Sequence, residues 1–380
     1  MTRFRDSLAQ LLSRETFPPE AFFIDKMFCN RRIIVYGAGE SFHYYKEVVM
    51  RQYGYIPSVV LDRRFSAGDT FEGIPAFPPH EYHPSDDDQR NAIVVICLGN
   101  QNYYDDVVTT LLQMGFCTII SLNDIYEIHN PFRIPLELEE AGFRYYLSNR
   151  KQIEACLELF ADDMSREIYL RCLTTHLQRK PVPIPMSPRY EQYTPAGIDM
   201  NQGYARFLYC GVSVGEMASV FGRVGKVEEL VCFEPDPNQY GLAAAWLAEH
   251  HDEVAGRTTV IPCAVYSSDG IEPFTYSDTS FGSRILPAGE ARTQTVTIDH
   301  VLPGFRPTII TMDIEGAELE ALKGAEYTIR TSRPSLAICV YHSPAHLWEI
   351  PLYLNSLGFG YRFSLRNYTS FTGETVLYAV

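Results

Sequence analysis

From Arg31 onward the chain alternates short apolar runs with longer stretches of helical spacing. The run RRIIVY gives way to GAGESF and then to a helix-favouring stretch that reaches about Gln52, the opening of a strand, turn and helix. A second apolar run, IPSVVLD, ends at Asp62. A third, NAIVVICLGN, precedes a helical stretch reaching Met114, and a fourth, FCTIISL, follows. β-Branched runs separated by helices predict a doubly wound parallel sheet over roughly residues 20–130.

Between about Asn130 and Thr194 the pattern changes. Charged, helix-favouring segments such as YYLSNRKQIEACLELFADDMSREIYLRCLTTHLQ lead into PVPIPMSP, where closely spaced prolines cannot continue a helix. The expectation is a helical connection and proline-rich linker over 131–190, separating a domain at 1–130 from one at 191–380. The alternation then resumes. ARFLYCG, EELVCFEPD, TTVIPCAVY, PTIITMDIEG and SLAICVY read as strands. VGEMASVFGR, NQYGLAAAWLAEH, AELEALKGAEYTIR and about Ala345–Leu357 read as helices. Two strand-like runs close the chain, and an excursion interrupts the pattern between about Ser267 and His300. The predicted fold class is α/β, with two Rossmann-like doubly wound sheets joined by a helical linker.

A chain of 380 residues exceeds the usual size of one hydrophobic core, which supports two domains. The formal charge of -15 is spread along the sequence, and no basic stripe exists to track phosphates, which argues against nucleic acid. Nine cysteines stand singly, without CxxC or zinc-ligand spacing, and several (Cys97, Cys232, Cys263, Cys339) fall in apolar runs, as buried reduced thiols would. The opening MTRFRDSLAQLLSRETF reads as an amphipathic helix and lacks the continuous apolar stretch of a signal peptide or membrane span. A cytoplasmic protein without membrane insertion is expected; a homo-oligomer is left open.

Candidate chemistry concentrates in the second half. Ligands of open parallel sheets sit at the carboxyl ends of the strands, where glycines let backbone approach the ligand and an acid after the second strand meets ribose hydroxyls. Gly211 and Gly215 occupy the first strand-to-helix turn, and Glu234 follows the second strand about two dozen residues later. Taken alone, a tight turn and a solvated glutamate would give the same pattern.

The stretches FEPDP, MDIEGAELEALKGA and LAICVYH, followed by HLWEIP, YRFSLRNY and ETVLYA, resemble in sequence and order the signatures of FkbM methyltransferases, over roughly residues 190–380. The resemblance implies a class I methyltransferase fold with S-adenosylmethionine as methyl donor and a hydroxyl of a sugar or glycoside as acceptor. It places Gly211 and Gly215 at the methionine end of the cofactor and Glu234 at its ribose. Asp236 and the segment Cys263–Val265, with Ala264 at its centre, fall near the adenosine. Asp313 and Glu315 face the methyl group and acceptor, joined by His342 as a further candidate base. Acids at a helix start and a histidine ahead of Ser343-Pro344 also have purely structural readings. The chain departs from the family at Tyr209, where an acid is usual, at Val212, where a small residue is expected, and at Thr311, where many relatives carry Lys. Glu216 is the residue placed to compensate for Tyr209. No metal is expected, as no HxH or CxxC cluster supports one.

In the N-terminal half, GAGESF with the later VVLDRRF and EGIPAFPPHEY resembles the nucleotide-sugar-binding domain attached to some sugar-modifying enzymes. Gly37, Gly39 and Asp62 are its candidate ligand residues. Phe42 occupies the third glycine position of GxGxxG and would crowd the helix packing. Two rival readings remain: a scaffold built on an inactivated methyltransferase half, and an oxidoreductase or epimerase centred on the first domain.

Overall fold

The computed structural model describes all residues except 14–27, 67, 99–103, 123–140, 179–181, 183, 277–282, 288 and 369–371. Those described form two compact units: one built mainly from 1–150 and 170–184, the other from 151–169, 185–369 and 373–380.

The first unit holds a six-stranded sheet. Strands β1 (Ile33–Tyr36), β2 (Val59–Leu61), β4 (Ile74–Phe77), β5 (Ile93–Ile96) and β6 (Ile119–Ser121) pair in parallel in the order β4-β2-β1-β5-β6, and β3 (Thr70–Phe71) adds an antiparallel edge. Alternation of side chains divides each central strand between two cores. Ile33 and Val35 join Val60, Ile93 and Val95 on one face; Ile34 and Tyr36 join Leu61, Val94 and Ile96 on the other. Burial on both faces is why these strands read as unbroken apolar runs. The opening segment forms the helix Thr2–Leu12, with Phe4, Leu8, Leu11 and Leu12 buried along one stripe. The helix after β1 starts at Glu40 and carries a π-helical turn over Lys46–Met50. Phe42 is buried edge-on against Phe71 at 5.0 Å, so the residue in the third glycine position serves as a core side chain.

The second unit holds a seven-stranded sheet in the order β16-β17-β15-β14-β7-β8-β9. Its members are β7 (Arg206–Cys210), β8 (Val227–Phe233), β9 (Ala255–Ile261), β14 (Ile309–Met312), β15 (Ser335–Cys339), β16 (Phe363–Asn367) and β17 (Thr375–Ala379). All neighbours pair in parallel except β17, which runs antiparallel to both β15 and β16. Strand order reverses between β7 and β14, and the crevice beside such a switch point is where open α/β sheets bind ligands. The helical stretch 151–169 covers the β16 edge. Ala161 N–H donates to the Phe363 carbonyl at 2.8 Å, Leu365 N–H to Ser165 Oγ at 2.9 Å, and the Arg366 guanidinium to Asp162 at 3.2 Å. A capped edge cannot recruit a foreign strand.

Two elements differ from the sequence reading. TTVIPCAVY is not one strand: Pro262, which has no N–H to donate, ends β9, and Ala264–Val265 forms β10 of a separate four-stranded sheet with β11 (Gly270–Thr275), β12 (Arg284–Ile285) and β13 (Ala291–Val296). AELEALKGAEYTIR is two helices, Glu318–Lys323 and Glu326–Ser332. The break falls at Gly324, where a Cβ would stand 2.0 Å from the Tyr266 carbonyl oxygen, and Asp299 accepts the Tyr327 and Thr328 N–H groups that open the second helix. All nine cysteines are free thiols; Cys97, Cys232 and Cys339 are buried, and Cys263 is partly exposed. Among the described residues no helix is long and apolar enough to cross a membrane.

Candidate active site

The carboxyl ends of β7, β8, β14 and β15 converge. Gly211 leaves β7 at φ +82°, and a Cβ there would meet the Asp313 carbonyl oxygen at 1.8 Å, so the turn admits only glycine. Gly215, inside the helix Val214–Val224, faces open space. At the end of β8, Glu234 is buried and spans the turns: its Oε2 accepts Val212 N–H at 2.9 Å and its Oε1 accepts Asp236 N–H at 2.8 Å. Burial pushes its carboxyl up to about 7 despite those two donors. Asp236 itself caps the helix Pro237–Glu249, accepting Asn238 N–H at 2.8 Å, while its other oxygen takes the Ser283 hydroxyl at 2.6 Å. Ala264 is buried in β10, paired with Thr295 of the smaller sheet.

Past β14 the chain turns sharply. Glu315 adopts φ +56°, a left-handed conformation that costs a non-glycine residue roughly 1–3 kcal/mol and marks a side chain held in place by its surroundings. The organiser of this turn is Glu318, fully buried, whose Oε1 accepts Ile314 N–H at 3.0 Å, Gly316 N–H at 3.3 Å and His342 Nδ1–H at 2.8 Å. His346 Nδ1 stands 3.3 Å from its second oxygen. On the opposite side of the His342 ring, Nε2 lies 3.3 Å from Asp313 Oδ1 and 3.3 Å from Glu315 Oε2. The structure therefore brings the three predicted catalytic residues Asp313, Glu315 and His342 together.

Their electrostatics are set by this crowding. Burial alone would lower the His342 imidazole, but the Glu318, Glu315 and Asp313 carboxylates outweigh it and push it up to about 10. Burial alone would raise Glu318, but His342 and His346 override it and hold this carboxyl well below the usual range. Asp313 moves well upward because it is buried, and Glu374, Glu216 and Glu315 add to the effect; the nearby His342 only partly offsets it. The Tyr341 hydroxyl donates to Asp313 Oδ1 at 3.1 Å, and that of Tyr193 approaches Oδ2 at 3.5 Å.

Tyr209, in place of the usual acid, donates its hydroxyl to Glu216 Oε2 at 2.7 Å. Glu216, Asp313 and Glu374 bring a carboxylate oxygen each within 4.8 Å of one another. Burial pushes Glu216 up to about 7, with Glu374 contributing and the Tyr209 hydroxyl opposing. A carboxylate thus stands beside the end of β7, carried by the following helix instead of the strand.

In the first unit the same device recurs. Asp62 Oδ2, after β2, accepts Ala38 N–H at 2.8 Å across the turn that follows β1, and the Arg64 guanidinium reaches the same oxygen at 3.2 Å. Burial opposes the Asp62 charge, but Arg64 and the backbone donors outweigh it and hold the carboxyl below its usual range. Gly37, at φ +103°, has no room for a Cβ, which would meet the Cys97 carbonyl oxygen at 2.2 Å; Gly39 caps the helix beginning at Glu40.

Sequence reading did not single out Glu318, His346, Tyr193, Tyr341 or Glu374. The signal for Glu318 was available as the second glutamate of MDIEGAE, whose offset of three from Glu315 places it at the first turn of the following helix. The four others, Tyr341 and His346 after β15, Glu374 just before β17 and Tyr193 in the 185–205 stretch, join the site only through sheet topology.

Comparison with known proteins gives a domain match and a fold match. Residues 209–363, fewer than half of the chain, match the family described as Methyltransferase FkbM domain. Among solved structures, the chain is similar to the crystal structure of Methyltransferase FkbM from Methylobacillus flagellatus KT, with a TM-score of 0.73 and 20% identity, over 100% of this chain and 98% of that one. At that identity the likeness shows the fold. No curated protein matches. Fold and domain match together support a methyltransferase.

Proposed function

We propose that the second unit is an S-adenosylmethionine-dependent O-methyltransferase whose acceptor is a hydroxyl of a sugar, glycoside or related metabolite. The observation that carries this reading is Glu234: a buried carboxylate after β8 that bridges the turns after β7 and β8, on the same sheet edge as Asp313, Glu315 and His342. A buried carboxylate whose basicity is raised despite two backbone donors is suited to further donors, which a pair of ribose hydroxyls supplies. Gly211 and Gly215 keep side chains out of the neighbouring space, and Glu216 offers negative charge for an ammonium in place of the acid absent at Tyr209. Asp236 and Ala264 border the adenosine end in this reading. When bound, S-adenosylmethionine supplies an electrophilic methyl carbon on a sulfonium.

What the protein's own residues contribute is alignment and removal of a proton from a weakly acidic hydroxyl. Held as an imidazolium, His342 is a poor proton acceptor, and its charge serves to keep Asp313 and Glu315 in place. The acceptor's proton then passes to the carboxylate of Asp313, whose basicity burial raises. In the first unit, Gly37, Gly39 and Asp62 offer a place for a nucleotide sugar, held at the turn after β1.

The test is methyl transfer from labelled S-adenosylmethionine to a panel of nucleotide sugars and methyl glycosides. Label in an alkali-stable ether supports hydroxyl methylation. Label recovered only in esters or amines contradicts the proposed acceptor class.

A further inference from the structure

We propose that Glu318 is a positioning residue for methyl transfer, acting through the His342 imidazole on Asp313, the carboxylate that takes the acceptor's proton. The arrangement stands on geometry; its role in turnover rests on the methyltransferase reading above.

Glu318 opens the helix Glu318–Lys323 and is fully buried, so it acts on chemistry only through a neighbour. The Ile314 and Gly316 N–H groups fix its Oε1, and the same oxygen meets His342 Nδ1 at 2.8 Å. A carboxylate only accepts hydrogen bonds, so Nδ1 carries a proton at this contact. That contact sets the tautomer and turns Nε2 the other way, where it stands 3.3 Å from Asp313 Oδ1 and 3.3 Å from Glu315 Oε2. A neutral ring in this orientation would aim a lone pair at two carboxylate oxygens, whereas a charged ring aims an N–H at them. Three carboxylates around one buried imidazole therefore select the imidazolium.

The consequence falls on Asp313. Glu315 on its own turn, Glu216 on the helix after β7 and Glu374 before β17 all add to burial in favouring its protonated form, which cannot take a proton. The Tyr341 and Tyr193 hydroxyls approach the same carboxylate at 3.1 and 3.5 Å, and the Tyr341 ring lies against the imidazole with centroids 4.0 Å apart. His342 is the positive charge that opposes the three acids. Of the carboxylates that keep this ring charged, Glu318 contributes most. His346, from the helix after β15, stands 3.3 Å from the other Glu318 oxygen and helps to keep Glu318 itself ionised. Without the Glu318 charge, His342 loses its proton more readily, and Asp313 then loses the cation that favours its ionised, proton-accepting form.

The test follows the ring nitrogens of 15N-histidine-labelled full chain by NMR against pH, with His342→Gln identifying the signal. In the unmodified chain both His342 nitrogens should stay protonated up to about pH 9, and in Glu318→Gln the midpoint should fall by about 1–3 pH units. Turnover with labelled S-adenosylmethionine is measured over the same range. In Glu318→Gln the acid limb of its pH profile should move upward, so that a loss of at least about ten-fold at pH 7 is partly recovered at pH 9. A loss by the same factor at every pH is what a purely structural role gives, and it overturns the proposal. So does a His342 that titrates near the ordinary value of about 6.5 in the unmodified chain, a result that does not depend on any variant folding. Turnover by unmodified protein with a neutral His342 removes only the role of Glu318. A charged His342 without methyl transfer to any acceptor of the panel removes the methyltransferase reading, and the role of Glu318 in turnover with it.

Discussion

Glu318 and His342 form a buried pair in which the carboxylate holds both the imidazole and the turn that presents Glu315. The pair joins the loop after β14 to the end of β15 through one side chain. Removing the charge leaves a buried imidazolium without its main partner, a situation that costs about 3–5 kcal/mol. Glu318→Gln is therefore expected to lower stability by that order in chemical denaturation. A loss below about 1 kcal/mol would show the pair to be weakly coupled to folding.

The same cluster sets a pH dependence of stability. The His342 pKa is raised in the folded state to about 10, so its contribution is fully present below the unfolded value of about 6.5 and is lost as pH rises through 10. Glu216 and Glu234, both raised to about 7, add a loss of the same sign between the unfolded glutamate value of about 4.3 and pH 7. Glu318 is depressed, so its contribution is present above the unfolded value and is lost on acidification. Thermal melts should show stability falling from pH 6 to pH 9, with a flatter profile in His342→Gln. Equal slopes in both proteins would contradict the assigned charge on His342.

Gly211→Ala and Gly215→Ala should separate fold from site. At Gly211 a Cβ would meet the Asp313 carbonyl oxygen at 1.8 Å with φ at +82°, so strands β7 and β14 must part and stability should fall by more than about 2 kcal/mol. Gly215 lies in a helix with open space around it, where alanine gains up to about 1 kcal/mol. Denaturation midpoints of the two variants check this, and calorimetry with S-adenosylmethionine should find weaker binding in the stable Gly215→Ala protein.

Tyr209→Phe removes a hydroxyl that donates to Glu216 at 2.7 Å in the interior. The expected loss is about 1–3 kcal/mol, because the buried Glu216 carboxyl is left without that donor. Glu216→Gln should weaken cofactor binding if Glu216 replaces the acid missing at Tyr209; an unchanged affinity would leave that substitution without compensation.

Much of the sheet architecture was legible because apolar runs on strands buried on both faces need no long-range information. Ile33–Tyr36, Ile93–Ile96 and Ile309–Met312 are of this kind. The breaks at Pro262 and Gly324 were not read, since the pattern continues across both and only the approach of Tyr266 forces the second. Asp313 and Glu315 came from the resemblance carried by MDIEGAE, and His342, just past the next strand, joined them as a further candidate base. Glu318 looks like an ordinary first-turn helix acid in the sequence, and its role depends on His342 arriving from β15. The helices at 151–169 read as a connection because nothing local reveals that Ser165 and Asp162 bond to residues about 200 positions away on β16.

The most direct test of the account is calorimetric titration of the full chain with S-adenosylmethionine and S-adenosylhomocysteine, with Glu234→Gln alongside. Saturable binding of both ligands at one site, weakened at least about ten-fold in a folded Glu234→Gln protein, is the predicted result, since a lost charge-assisted hydrogen bond is worth roughly 1.5–3 kcal/mol. Absence of binding to the unmodified chain would contradict the central claim and leave the sheet edge at Glu234, Asp313 and His342 without its cofactor.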